Sequence, residues 1–403
     1  MVQPREQFHD ACLSDGNTFD SRPKAFTEAC FSGAAPAQTL PRVRTSPRVR
    51  TCCNGQTGFR HYQRVARKLR RNPLATKDNM KAIELNGLEG FDSLRLVTVE
   101  KPKPRAGEVL IEVKAAGLNF AEIELTRGRY PAHKPLPFIM GFEAAGIVVE
   151  LGSRVANLRV GDKITALVSS GGYAEYATAD AGAAIPIPLG ISFAEAASIP
   201  IHGLTAYCLL KLAAKPQTHE TVLIQAAAGG VGLYLVQLAK IMGVRQVIAL
   251  ASSQRKLELV KGLGADIAIN YSEPSWTEQV RAATAGRGAD VVLEAASGEV
   301  GRESFKLLAP FGRVVFFGAR NIHDTLSAEN IEQLIRRNQC LIGFNLPTVD
   351  SQQIAENVPD LLRLIGQGKL RMFADSAFPL GEVKKAFEAL ASRKTIGKVV
   401  LIP

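Results

Sequence analysis

Three positions after a short apolar run have the spacing of a turn that binds a dinucleotide. In LIQAAAGGVGLYLVQLAK, residues 223–240, they are Ala227, Gly229 and Gly232. In the GxGxxG fingerprint the first glycine makes the turn, the second admits a pyrophosphate and the third lets helix and strand pack closely. The first position here is alanine. Amides that open the next helix favour phosphate, and those predicted to bind it belong to Ala228, Gly229, Gly230, Val231 and Gly232.

The end of the next apolar run indicates which nucleotide would fit. A site for NAD places an acidic residue about 20 residues after the glycines, but QVIALASSQRK, 246–256, has none. The segment instead offers hydroxyls and cations that suit a 2′-phosphate, at Ser252, Ser253, Arg255 and Lys256. The absent acid favours NADPH. Two plainer interpretations stay open: the glycines only close a tight turn, and the cations form a solvated helical turn.

Alternating strands and helices position these residues. The runs TVLIQA, QVIALA, DIAIN and DVVLEAA read as buried strands, and VGLYLVQLAKIMG, RKLELVKGLG and WTEQVRAAT read as helices. The segments FKLLAPFG, RVVFFG and CLIGFNL complete the series. This rhythm predicts an α/β fold with a doubly wound parallel sheet, covered on both faces.

The preceding region, 80–200, reads as a mostly β domain. EVLIEVKAAG and EAAGIVVELG are its clearest strands, and Ser192 with Glu195 forms a capping box before a short helix. The helix HGLTAYCLLKLAA follows. Residues 201–345 form the predicted nucleotide domain, and 346–403 end on KVVLIP, a strand predicted to rejoin the first domain.

Composition limits the classes of protein to consider. No uninterrupted apolar stretch reaches about 18 residues, the first residues lack the apolar core of a secretory signal, and the cysteine spacing fits neither a disulfide scaffold nor a zinc finger. We therefore expect a reducing, cytoplasmic location. Residues 1–79 hold 14 Lys and Arg against 6 Asp and Glu, within a net charge of +11. They are predicted to be a poorly ordered basic extension; organelle targeting and nucleic-acid binding stay open as alternatives.

Eight motifs, in order along 80–403, carry a family resemblance. They are GLNFAE, RGRYP, GFEAAGIVVELG, VGDKITAL, GGYAEYA, HGLTAY, AAAGGVG and IGKVVLIP. This set resembles the medium-chain dehydrogenase/reductase superfamily, in its zinc-independent quinone oxidoreductase and VAT-1-like branch. The resemblance implies a GroES-like substrate domain and a Rossmann domain. Residues 1–79 have no counterpart in it.

The resemblance also implies a site without metal. Zinc-dependent relatives have a cysteine in the segment matching GLNFAE and a histidine before the glutamate of GFEAAG; here there is no such cysteine, and Phe142 occupies the histidine position. Without a Lewis acid, alcohol oxidation is disfavoured. The implied reaction is hydride transfer from NADPH to a quinone or an α,β-unsaturated carbonyl, including enoyl thioesters. The implied partners are a small electron-poor substrate and a second copy in a homodimer.

The resemblance assigns roles to individual residues. Asn119 would lie beside the nicotinamide, and Tyr130 would either donate a hydrogen bond to the substrate or form an aromatic lid. Some quinone reductases have a tyrosine where this chain has Glu124, which leaves the polar catalytic contact open. The other implied cofactor contacts are Thr205, Lys256, Tyr271, Gly318, Phe344, Asn345, Leu346 and Lys398. Lys398 is expected either to reach the phosphates or to be a surface cation, the second being favoured.

Four further residues are interpreted as structural. Glu143 is expected to be a buried, paired carboxylate, His202 a hydrogen-bonded histidine at a helix start, and Cys208 and Cys340 core residues. The alternative function is a nucleotide-binding interaction protein, similar to VAT-1-like relatives that associate with membranes or crystallin-type relatives that bind RNA.

Overall fold

The computed structural model describes residues 78–130, 135–168, 171–318 and 325–403, all within one compact unit, Pro73–Pro403. The predictions for the basic extension therefore lie outside the described residues, apart from its last two positions. Within this unit the chain forms two domains, one built on a six-stranded sheet and the other on two sheets of three and seven strands.

The nucleotide-domain sheet has six parallel strands among the described residues. They are β9 Thr221–Ile224, β10 Gln246–Ala251, β11 Ile267–Asn270, β12 Ala289–Glu294, β13 Leu308–Phe317 and β14 Cys340–Phe344. Their spatial order is β11-β10-β9-β12-β13-β14. The order reverses between β9 and β12, which is the point where doubly wound sheets bind ligands. The predicted Rossmann architecture is confirmed.

Helices cover both faces of this sheet because each crossover between parallel strands must return over a face. Numbered along the whole chain, the helices are α1 Phe120–Thr126, α2 Phe193–Ala196, α3 Leu204–Cys208, α4 Gly230–Ile241, α5 Gln254–Gly262, α6 Trp276–Ala283, α7 Gly298–Lys306, α8 Ala328–Arg337, α9 Ser351–Gly366 and α10 Val383–Ala391. Wider, π-type turns, Ile199–Gly203 and Leu209–Ala214, extend α3 on both sides. The segment FKLLAPFG divides between the end of α7 and the start of β13.

The substrate domain contains two sheets. Its strands are β1 Asn79–Leu85, β2 Leu94–Glu100, β3 Glu108–Leu118, β4 Phe138–Ile139, β5 Glu143–Leu151, β6 Lys163–Leu167, β7 Tyr176–Asp180, β8 Ile185–Pro186, β15 Ser376–Pro379 and β16 Val399–Ile402. The smaller sheet has the order β2-β1-β4, and the larger has the order β15-β16-β3-β5-β6-β8 with β7 on β3. The capping box of Ser192 and Glu195 before α2 is present, as the sequence predicts.

The end of the chain returns to the substrate domain. Strand β16 pairs antiparallel with β3, which confirms the predicted return. Just before β16, the Gly397 amide donates to the Ala228 carbonyl at 3.2 Å. The C-terminal segment therefore touches the glycine turn on its way to the substrate domain.

The stretch Phe193–Ala214 has the length and composition of a membrane span, and 72% of its apolar window is buried inside the protein. Much of it lies in the hydrophobic core shared with the nucleotide sheet. A buried core helix meets the same criteria, so this stretch is weak evidence for a membrane span.

Candidate functional site

The residues predicted to bind a nucleotide gather at the carboxyl edge of the six-stranded sheet. Neighbouring strands end together there: Ala251 pairs in register with Asn270, and Phe317 with Phe344. Residues that follow these ends are Ser252, Ser253, Tyr271, Gly318, Asn345 and Leu346. Thr205 is buried on α3, with 9% of its surface exposed. The topology thus brings distant parts of the sequence to one edge.

The glycine turn leaves an open helix amino terminus. Helix α4 begins at Gly230 with no side-chain cap and no acidic residue in its first turn. A Cβ on Gly232 would lie 2.3 Å from the Ala226 carbonyl oxygen, so close packing of α4 against β9 requires glycine there. A Cβ on Gly229 would meet only the same oxygen, at 3.1 Å. Uncapped amides and a dipole that favours negative charge fit a pyrophosphate.

The residues predicted to bind a 2′-phosphate have protein partners. Lys256 is 9% exposed and its Nζ donates to the Arg393 carbonyl at 2.6 Å. Burial lowers the pKa of Lys256. Arg255 is exposed and pairs with Asp375 at 2.9 Å. Both cations thus bind the C-terminal segment, and a role at the adenosine end remains a prediction.

A buried polar network lies where the two domains meet. Lys398 Nζ donates to Glu143 Oε1 and to Asn119 Oδ1 at 2.8 Å, and it lies 3.3 Å from His202 Nε2. Lys398 and Glu143 are fully buried. Glu143 is therefore the buried, paired carboxylate that we expected. The expectation that Lys398 is a surface cation is wrong, because its side chain runs inward from the start of β16.

The network also fixes Asn119. Its Nδ2 donates to Glu143 Oε1 at 3.0 Å and to Glu122 Oε2 at 3.2 Å, while its Oδ1 accepts from Lys398. Asn119 caps α1 from a buried position, with 4% exposed. Both polar atoms of the side chain are thus engaged within the protein. A contact from Asn119 to a nicotinamide remains a prediction and would have to share these bonds.

Burial shifts the ionisation of the network. Loss of solvent raises the pKa of Glu122 to about 7 and raises that of Glu143, where the Lys398 charge acts in the opposite direction. Burial followed by the charge of Lys398 holds the pKa of His202 well below its ordinary value. His202 is therefore neutral at physiological pH.

His202 lies directly over the glycine turn. A Cβ on Gly230 would stand 2.0 Å from His202 Cε1 and 2.1 Å from its Nδ1. The Nδ1 atom is buried and has no hydrogen-bond partner among the described residues. The expected hydrogen-bonded histidine is therefore found at Nε2, while Nδ1 lacks a partner among the described residues. Sequence reasoning gave no signal for this contact, because His202 and Gly230 belong to different helices.

Two aromatic rings lie near each other in the substrate domain. The rings of Tyr130 and Phe142 are 6.5 Å apart, so Phe142 makes an aromatic contact at the position of the zinc-ligand histidine. Burial, then the charge of Glu122, raises the pKa of Tyr130, which keeps its hydroxyl protonated. Glu124 accepts from Arg129 Nε at 2.6 Å and Nη2 at 3.1 Å. This two-bond contact joins the residue before Tyr130 to α1.

Sequence reasoning also missed a buried amide beside the turn. Gln225 Oε1 accepts from the Ala295 and Ala296 amides at 3.2 and 3.0 Å, joining the ends of β9 and β12.

Cys208 is in the core, as expected, but Cys340 is exposed. The reason is that Cys340 begins β14, the outermost strand of the sheet, where an apolar run does not guarantee burial.

No group of three or more His, Cys, Asp or Glu able to hold a metal ion occurs in the part of the chain that the structure describes. That the site contains no metal stays a prediction, which a measurement of the metal content of the purified protein would test.

Two family models match the chain. The alcohol dehydrogenase GroES-like domain matches residues 105–189, and the zinc-binding dehydrogenase domain matches residues 230–365. The first range contains strands β3 to β8, and the second contains strands β10 to β14.

Individual proteins match over most of their lengths. The human synaptic vesicle membrane protein VAT-1 homolog is 30% identical over 343 residues, which cover 80% of this chain and 86% of that protein. The Escherichia coli quinone oxidoreductase solved with NADPH has a TM-score of 0.74 and 30% identity, covering 80% of this chain and all of that one. The CurK enoyl reductase has a TM-score of 0.71 and 32% identity, covering 81% and 99%.

Proposed function

Because the chain belongs to the medium-chain dehydrogenase/reductase superfamily, in its quinone oxidoreductase and VAT-1 branch, we propose that it is an NADPH-dependent, zinc-independent oxidoreductase. The observation that carries the proposal is the uncapped amino terminus of α4, which follows β9 at the switch point of the sheet. The solved quinone oxidoreductase that the chain resembles was crystallised with NADPH.

The residues present fit the cofactor. The amides at the start of α4 would hold the pyrophosphate, and no carboxylate stands at the end of β10 to oppose a 2′-phosphate. Gly318 has a φ of 83°, and a Cβ there would meet no atom of the described residues within 4 Å. When bound, NADPH supplies the hydride.

The proposed substrate is a quinone or an α,β-unsaturated carbonyl, with enoyl thioesters included. Hydride addition to such a double bond develops negative charge on the carbonyl oxygen, which a hydrogen-bond donor stabilises. We propose that Tyr130 is this donor. It is half-buried, and burial raises its pKa, so its hydroxyl stays protonated. The preceding residue, Arg129, is paired with Glu124. Phe142 supplies an apolar wall beside it.

The direct test is NADPH oxidation with a panel of quinones, enals and enoyl thioesters, using protein with measured metal content. We expect turnover with at least one class, unaffected by chelators. Background rates with every class would contradict the proposal. One equivalent of bound metal that is required for turnover would contradict zinc independence.

A second candidate function follows from the similarity to the VAT-1 homolog, whose name places it on synaptic vesicle membranes. In this alternative the chain binds NADPH but acts mainly by interaction with a membrane or RNA. Vesicle and RNA binding measured beside the substrate panel would separate the two. Binding without turnover would favour the alternative.

A further inference from the structure

The ammonium group of Lys398 has no donor left for a phosphate. An ammonium carries three N–H donors, and those of Lys398 point to Glu143, Asn119 and His202. The side chain is fully buried. The expectation that Lys398 reaches the phosphates is therefore inconsistent with this arrangement.

The absence of a side chain at Gly117 leaves space for the side chain of Lys398. A Cβ on Gly117 would lie 2.3 Å from Lys398 Cε and 2.7 Å from Glu143 Oε1. Gly117 is in β3, which pairs with β16. The lysine thus occupies a space that only a glycine on the neighbouring strand leaves free.

The ammonium determines how two neighbouring groups are oriented. Asn119 must direct Oδ1 toward Lys398 and its NH₂ group toward the carboxylates of Glu143 and Glu122. Neutral His202 must accept at Nε2, so its proton is on Nδ1. The Nδ1–Cε1 edge lies against Gly230, the first residue of α4.

We propose that Lys398 is a positioning residue: its buried ammonium fixes the amide orientation of Asn119 in the substrate domain and the tautomer of His202 beside the glycine turn. The proposal rests on the proposed function for its effect on turnover. The tautomer itself is a property of the protein without cofactor.

The test uses two variants of the full chain. Lys398→Met removes the ammonium but leaves Glu143 buried and unpaired, which can prevent folding. Lys398→Met combined with Glu143→Gln removes both charges and keeps the volumes. Lys394→Met is the matched control, since it removes an exposed lysine from the same segment. Nitrogen NMR of labelled histidine reports the tautomer, with the His202 signals assigned by their loss in His202→Asn.

In the wild-type protein we expect Nδ1 protonated and Nε2 unprotonated. In the double variant we expect the tautomer preference to be lost and kcat to fall by about tenfold to a hundredfold. The Kd for NADPH should change by less than about threefold, which is smaller than the increase in Kd that loss of one charge-assisted hydrogen bond would cause.

Two results would overturn the proposal. One is an unchanged His202 tautomer in the folded double variant. The other is an NADPH affinity at least about tenfold weaker with reduced salt dependence, which is the signature of a direct phosphate contact. If the wild-type protein binds no NADPH, the proposed function fails, but the tautomer comparison still decides whether Lys398 positions His202.

Discussion

At the scale of single residues, Glu122 carries the pKa change with the clearest consequence. Burial raises its pKa from 4.5 to about 7, so between these pH values the folded protein binds more protons at this group than the unfolded chain. Its contribution to the free energy of unfolding is therefore present below pH 4.5 and is lost as pH rises toward 7. The full change is about 3 kcal/mol, at about 1.4 kcal/mol per pKa unit.

Glu122→Gln isolates this effect because the amide cannot ionise. We expect the variant to gain stability relative to wild type as pH rises from about 4 to about 8. Urea unfolding of both proteins at several pH values measures the difference, and Glu143 titrates in both. A constant difference across that range would show that Glu122 keeps an ordinary pKa.

Lys256 tests the choice of nucleotide. If Lys256 binds the 2′-phosphate, Lys256→Ala should weaken the binding of NADPH by about tenfold or more, because one charge-assisted hydrogen bond is lost. The affinity for NADH should stay nearly unchanged. Calorimetric titration with both nucleotides measures this, with Lys261→Ala as control because Lys261 is an exposed lysine on the same helix. Equal losses for both nucleotides would mean that Lys256 acts only through its bond to the Arg393 carbonyl.

At the scale of elements, the packing of α4 on β9 depends on Gly232. We expect Gly232→Ala to cost about 1–3 kcal/mol and to abolish NADPH binding, because a Cβ would overlap the Ala226 carbonyl. Urea unfolding and cofactor titration measure the two effects. Gly262→Ala is the control: it is an exposed helical glycine with no atom within 4 Å of an added Cβ. We expect this control variant to be more stable than the wild-type protein by about 1 kcal/mol in the free energy of unfolding.

Local pattern predicts the elements well and their long-range contacts poorly. The apolar runs of β9, β10 and β12 and the intervening helices are confirmed, since each depends on its own periodicity. Lys398 was misjudged because the Glu143 carboxylate it binds is 255 residues away in sequence. Cys340 was misjudged because the order of strands, and not the run itself, makes β14 the outer strand.

At the scale of the molecule, β14 is a candidate interface for the predicted homodimer. Its outer edge has no strand partner among the described residues, and Leu341 on this strand is 38% exposed. An unpaired, partly apolar edge invites pairing with a second copy. We expect Leu341→Lys to shift the protein toward monomer in light scattering. A monomeric wild-type protein would contradict the dimer.

The last prediction concerns the basic segment that precedes the compact unit. The contacts of the glycine turn and of the Lys398 network described here join residues within Pro73–Pro403. Removal of residues 1–72 retains β1, which begins at Asn79, and should leave NADPH affinity and turnover unchanged. The comparison is made with the full chain at the same ionic strength, together with vesicle and RNA binding. Loss of those two alone would assign interaction to the extension and reduction to the folded unit. Loss of turnover would show that the site requires residues from outside that unit.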